Sequence, residues 1–124
     1  MKFVLTKEYR YWWPVKIERP DPVNPGKWQV QSYMHEFVGV SEDEAKALNK
    51  EIEALSTAED KRAHEHDLLI KASRNWRDVI DDDKNPVEFS EELLRQALQD
   101  TWYRVGLYNA YASSLASPAA RKGN

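Results

Sequence analysis

The chain contains no cysteine. That single absence excludes disulfides, thiolate catalysis and cysteine-ligated zinc together, and it fits a reducing compartment. Glycine is scarce, four in 124 residues, and scattered. No Gly-rich phosphate loop and no Gly-x-Ser-x-Gly nucleophile turn can be assembled from so few. Long apolar runs are missing too. Nothing approaches the ~18 consecutive apolar residues that a membrane helix needs. Met1 to Glu8 lacks the apolar core and small-residue cleavage site of a secretory leader, so a cytoplasmic protein is expected. An excess of positive charge is also absent. The net charge is −3, which disfavours binding to nucleic acid by charge alone.

What is present is enough for one domain. Apolar residues make up 41% and charged residues 31%, a balance that supports a packed core rather than a disordered chain. Charge is unevenly placed. Residues 1–40 carry six basic and four acidic groups, residues 41–100 nine and seventeen, and residues 101–124 three and none. An acidic middle therefore lies between mildly basic ends.

Residues 1–40 read as β structure. Val15 and Ile17 alternate with Lys16 and Glu18, and Trp28, Val30, Met34, Val38 and Val40 share one parity. Pro20-Asp21-Pro22-Val23-Asn24-Pro25-Gly26 separates the two runs and cannot continue a ladder, so it is read as a hairpin loop. Pro14 belongs at an edge or irregularity. A short strand over Phe3 to Leu5 is an option.

The period then changes. Ser41-Glu42-Asp43-Glu44 is a capping box, followed by Ala45, Leu48, Ile52 and Leu55 at helical spacing. A second box at Ser56-Thr57-Ala58-Glu59 restarts a helix expected to run to about Trp76. Asp81 to Pro86 is an acidic loop. Ser90 caps the last helix, with Phe89 placed to staple onto Leu94. The apolar stripe of that helix is read as Leu94, Leu98, Val105, Tyr108, Ala112 and Leu115, ending at Ser117-Pro118. The expectation is one α+β domain over 1–117. An antiparallel β-hairpin or small sheet (1–40) precedes three helices (41–117), and 118–124 form a flexible tail.

Candidate sites are few. His64 and His66 lie two apart, about 200° around a helix, and cannot share a metal; a zinc-protease pair needs a spacing of four. Asp81, Asp83, Asn85 and Glu92 imitate a calcium loop, but Pro86 stands where its sharp turn needs glycine. No carboxylate is placed in an apolar setting that would tune it for catalysis, so no enzyme, no metal and no cofactor are expected. The aromatics are the outstanding feature. Tyr11, Trp12 and Trp13 are consecutive, so both faces of their strand carry large rings, and one face is a candidate contact surface. Trp28 lies across the hairpin. Trp102, Tyr103, Tyr108 and Tyr111 ring the last helix, which suits either a central helix or an oligomer contact. The residues expected to bind partners are Tyr11, Trp12, Trp13, Trp28, Trp102, Tyr103 and Tyr111. Arg10, Lys16 and Lys27 among these rings leave a base-stacking platform as an alternative.

From Trp76-Arg77-Asp78-Val79-Ile80 onward, a longer pattern emerges. It continues through the acidic turn, Pro86-Val87-Glu88-Phe89-Ser90 and Glu92-Leu93-Leu94 to Val105 and Ala110-Tyr111. This resembles the tail assembly chaperones of long-tailed phages, with Asn85 in the turn where a glycine is more usual. The resemblance implies a non-catalytic phage or prophage protein that coats the tape measure protein and helps recruit the major tail tube protein. It implies a homo-oligomer in the host cytoplasm, absent from the finished virion. A nucleic-acid-binding accessory protein and a minor virion tail protein are the alternatives.

Overall fold

The computed structural model describes residues 1–119. The elements run β1 (Arg10–Pro20), β2 (Trp28–Val38), α1 (Glu42–Glu53), α2 (Ala58–Ala63), α3 (Asp67–Lys71), β3 (Ser73–Arg77), α4 (Glu91–Ala97) and α5 (Thr101–Leu115). The α+β class is as expected. The tail expected over 118–124 lies, from residue 120 on, outside the described residues.

The hairpin forms where the prolines and glycine require it. Asp21 closes the turn: its Oδ1 accepts from the amides of Val23 and Asn24, and its own N–H donates to the Lys27 carbonyl at 2.8 Å. These donors, the Val23 amide first, hold the Asp21 carboxyl below its usual range. Gly26 takes φ 78°, which suits a residue without Cβ. β1 then pairs antiparallel with β2 from Arg10–Val38 to Pro20–Trp28. Pro14 lies on β1, an edge strand in the order β1-β2-β3, where a missing N–H is tolerated.

Register decides which parity is core. Val15 opposes Tyr33 and Ile17 opposes Gln31, so the odd residues of both strands share one face. Val15, Ile17, Tyr33, His35 and Phe37 are buried, whereas Trp28 and Val30 are more than half exposed. The apolar parity of β2 seen in the sequence is thus mostly the outer face. The span 57–76 is not one helix. Thr57, rather than Ser56, caps α2 by accepting from Asp60 N, and the chain turns again at His66. Ser73–Arg77 becomes the third strand, with Trp76 opposite His35 and a bulge between Glu36 and Phe37. Pairing with β2 overrides helical spacing there. Residues 1–9, including Phe3 to Leu5, form no strand; Phe3, Val4 and Leu5 are exposed.

The last helix is two. The Asp100 carboxylate accepts from Trp102 N at 3.0 Å and caps α5 three residues after α4 ends. The break rotates the stripe: Tyr103, Gly106, Leu107 and Ala110 face the sheet, while Val105, Tyr108, Ala112 and Leu115 are exposed. Gly106 explains how α5 lies so close to β1. A Cβ there would stand 2.6 Å from the Lys16 carbonyl oxygen and 2.6 Å from Ile17 Cδ1. Five helices therefore stand among the described residues in place of the three expected.

Candidate functional site: an apolar groove beside the edge strand

Among the described residues, the helices cover one face of the sheet. α5 packs on the odd face of β1, and α3 and α4 complete the core around Leu69, Leu94, Leu98 and Leu107. Alternation along β1 sorts the adjacent rings. Tyr11 and Trp13 turn to the covered face and pack against the core cluster, Tyr11 5.7 Å from the Phe37 ring. Its hydroxyl lies 2.7 Å from Ser114 Oγ, tying β1 to the end of α5. Ser114 donates to the Tyr111 carbonyl, so Tyr11 is the donor of that pair. Trp12 turns to the open face, where the Arg77 guanidinium sits 4.6 Å over its ring. The pair spans the sheet, since Trp12 is on β1 and Arg77 on β3.

Tyr103 is a core residue, 8% exposed and stacked 6.1 Å from Tyr33. Tyr111 packs 5.2 Å from Phe37 and is half-buried. Of the expected binding residues, Trp28 and Trp102 carry the most open surface, 62% and 44% exposed. They come from distant positions, the first residue of β2 and the first turn of α5. Both line one groove with Lys16, Glu18, Val105 and Asn109, floored by Gly106. Val30, 57% exposed, extends the apolar surface along β2. The Trp28 and Trp102 pairing was hidden in the sequence because it depends on where α5 crosses β1.

The open face is mixed in charge. Arg10, Lys16 and Arg77 share it with Glu18 and Glu36. Glu8 hydrogen-bonds Arg10, and chiefly that bond holds the Glu8 carboxyl low. Of the rings in the alternative base-stacking platform, Tyr11 and Trp13 turn half-buried to the covered face, and the carboxylates of Glu18 and Glu36 stand on the open one.

A buried polar chain runs through the core. Ser73 Oγ donates to the Leu69 carbonyl at 2.8 Å. His35 Nε2, 2.8 Å from that oxygen, therefore donates to it, and His35 Nδ1 accepts from the Tyr33 hydroxyl at 2.9 Å. The Tyr33 hydrogen is then used, so Tyr103 donates to Tyr33 across 2.6 Å. Burial pushes the His35 pKa down to about 4 and the Tyr103 pKa up to about 12. Burial raises Tyr33 as well. Ser73 is 5% exposed and its hydrogen is committed to a backbone carbonyl, so this chain is a structural tie. Its Tyr103 end meets a cleft whose floor includes Ile17, Tyr33 and Trp76 and whose rim carries Asp78, Ile80 and Asp82. The pattern around Trp76 has a structural use too: its Nε1 donates to the Val87 carbonyl at 2.8 Å, and Phe89 meets its ring edge-on at 5.1 Å.

His64 bonds Asp67 and His66 bonds Tyr108, so the two histidines serve separate contacts. Among the described residues no cluster of three metal-ligating side chains occurs, and no helix is long and apolar enough to cross a membrane. No known protein family, curated protein or solved structure matches the chain.

Proposed function

We propose that this protein is a tail assembly chaperone of a long-tailed phage or prophage, acting by reversible apolar contact and without catalysis. The observation that carries the reading is the convergence of exposed Trp28 and Trp102 on one groove, with Val30 and Val105 beside them. Apolar surface that folding leaves uncovered is typical of a binding face. A helical client lays its apolar stripe into such a groove, and rigid indoles supply large contact area at small entropic cost. The clients in this reading are the tape measure protein, held soluble until the tube grows around it, and the major tail tube protein. The action takes place in the host cytoplasm, and the protein leaves before the virion is complete.

Co-expression with a tape measure fragment tests it. The fragment should move from pellet to supernatant with the parent chain and stay in the pellet with Trp28→Ala/Trp102→Ala. A fragment that stays insoluble beside well-folded parent protein overturns the reading. Mass spectrometry of purified particles should not find the chain; finding it there favours a virion tail component instead.

A further inference from the structure

The cleft at the Tyr103 end of the buried polar chain encloses about 540 Å³, within the range of ligand sites. Tyr33, Trp76 and Tyr103 line it, and each is held in the core, so its wall is made of fixed rings. Asp78, Asp81 and Asp82 line it too. Asp81 turns one oxygen to the amides of Asp83 and Asn85. Asp78 and Asp82 make no hydrogen bond or ion pair among the described residues. One cation, Arg19, stands against these three carboxylates. Its Nη2 donates to Asp100 at 2.7 Å and its Nη1 to Gln31 at 3.2 Å, and its Nε is enclosed in protein. The cleft therefore keeps an uncompensated negative charge. The polar chain adds an independent requirement. Each group in it spends its hydrogen on the next one inward, so Tyr103 donates to Tyr33 and its own oxygen receives nothing among the described residues. That oxygen, on a residue only 8% exposed, has room for a donor and no hydrogen left to give.

We propose that this cleft binds an organic cation, a guanidinium or alkylammonium group on an apolar stem. Carboxylates, an accepting phenol and aromatic rings all favour the same partner, a positive group rich in N–H donors. The head meets Asp78, Asp82 and the Tyr103 oxygen, and the stem packs on Ile17 and the rings of Tyr33 and Trp76. Among the described residues no three ligating side chains stand together as a metal ion requires, so the site suits an extended cation that is met from several sides. The mixed lining, half carboxylate and half ring, fits a head and stem better than it fits a purely apolar ligand. This site uses neither Trp28 nor Trp102, so it stands or falls apart from the chaperone reading.

The probe is n-butylguanidinium, titrated into the full chain and followed by calorimetry and by the indole N–H resonances. Binding should shift the Trp76 resonance and leave that of Trp102 in place. Asp78→Asn/Asp82→Asn should weaken binding about 3–20-fold at low salt, and less at high salt. Asparagine suits the exchange because Asp78 holds φ 65°, a conformation that asparagine also tolerates. Tyr103→Phe, which removes the accepting oxygen, should weaken binding about 10-fold. The uncharged n-pentanol should bind far more weakly than the probe. A short capped peptide with one arginine distinguishes two sources of the cation, and either result upholds the site. Tighter binding than the free probe assigns it to a basic side chain of a protein, and equal or weaker binding to a small amine. The proposal is overturned if neither cation binds, if pentanol binds as tightly, or if Trp102 shifts in place of Trp76. An affinity unchanged in the asparagine pair or in Tyr103→Phe overturns it as well. Circular dichroism confirms that each variant folds.

Discussion

His35 Nε2 lies 2.8 Å from Ser73 Oγ, joining β2 to β3 through two buried side chains. The groups facing the imidazole are Tyr33, Ser73 and the rings of Phe37 and Phe89, none of them charged. A proton added to His35 has no counter-charge, and its pKa falls to about 4. The unfolded chain binds this proton near the ordinary histidine value of about 6.5, so between pH 6.5 and 4 the unfolded state holds more protons. Stability is therefore full above about pH 6.5 and falls as pH drops toward 4, by on the order of 3 kcal/mol from this one group. Urea denaturation across that range should show the slope. It should survive in His64→Gln/His66→Gln and flatten in His35→Gln.

Gly106 should not tolerate a methyl group. Alanine gains ~1 kcal/mol of helix propensity, but its Cβ meets a backbone carbonyl that cannot step aside. Overpacking of this kind costs about 1–3 kcal/mol. Gly106→Ala is expected to lower the denaturation midpoint, against the usual direction for glycine in a helix interior. An unchanged or raised midpoint would place α5 farther from β1 than 2.6 Å allows.

Asp100 has two uses that substitution can separate. One oxygen caps α5 and the other accepts from Arg19 Nη2. Removing a cap costs ~1 kcal/mol, and an ion pair with this much exposure adds ~0–1 kcal/mol. Asp100→Ala should thus lose about 1–2 kcal/mol, and Asp100→Asn should recover the cap's share. Equal losses in the two variants would assign the effect to charge alone.

Neighbouring turns of α5 should differ sharply. Leu107 is fully buried, and Leu107→Ala is expected to cost about 2–5 kcal/mol. Trp102 projects into the groove, and Trp102→Ala should cost under about 1 kcal/mol despite the larger side chain removed. Chemical denaturation of both variants checks this. A large loss at Trp102 would make it a core residue and remove it from the binding surface.

The local chemistry of the chain settled much of this fold in advance. Three prolines and a glycine dictated the turn between β1 and β2. Ser41 and Ser90 marked helix starts, because a hydroxyl beside free amides has one good arrangement; each accepts from the third amide on. Trp76 beside Phe89 followed from a short loop that brings one element's end to the next one's start. Other features depended on partners remote in sequence. Ser73–Arg77 has helix-compatible residues and is a strand only because β2 offers it a ladder. The inward parity of β2 is a matter of register: a slip of one residue would have sent Trp28 and Val30 inside and Tyr33 and His35 out. The groove arose in the same way. A sequence shows that Trp28 and Trp102 are large and apolar, but only the approach of α5 to β1, permitted by the missing side chain of Gly106, sets them side by side at the surface.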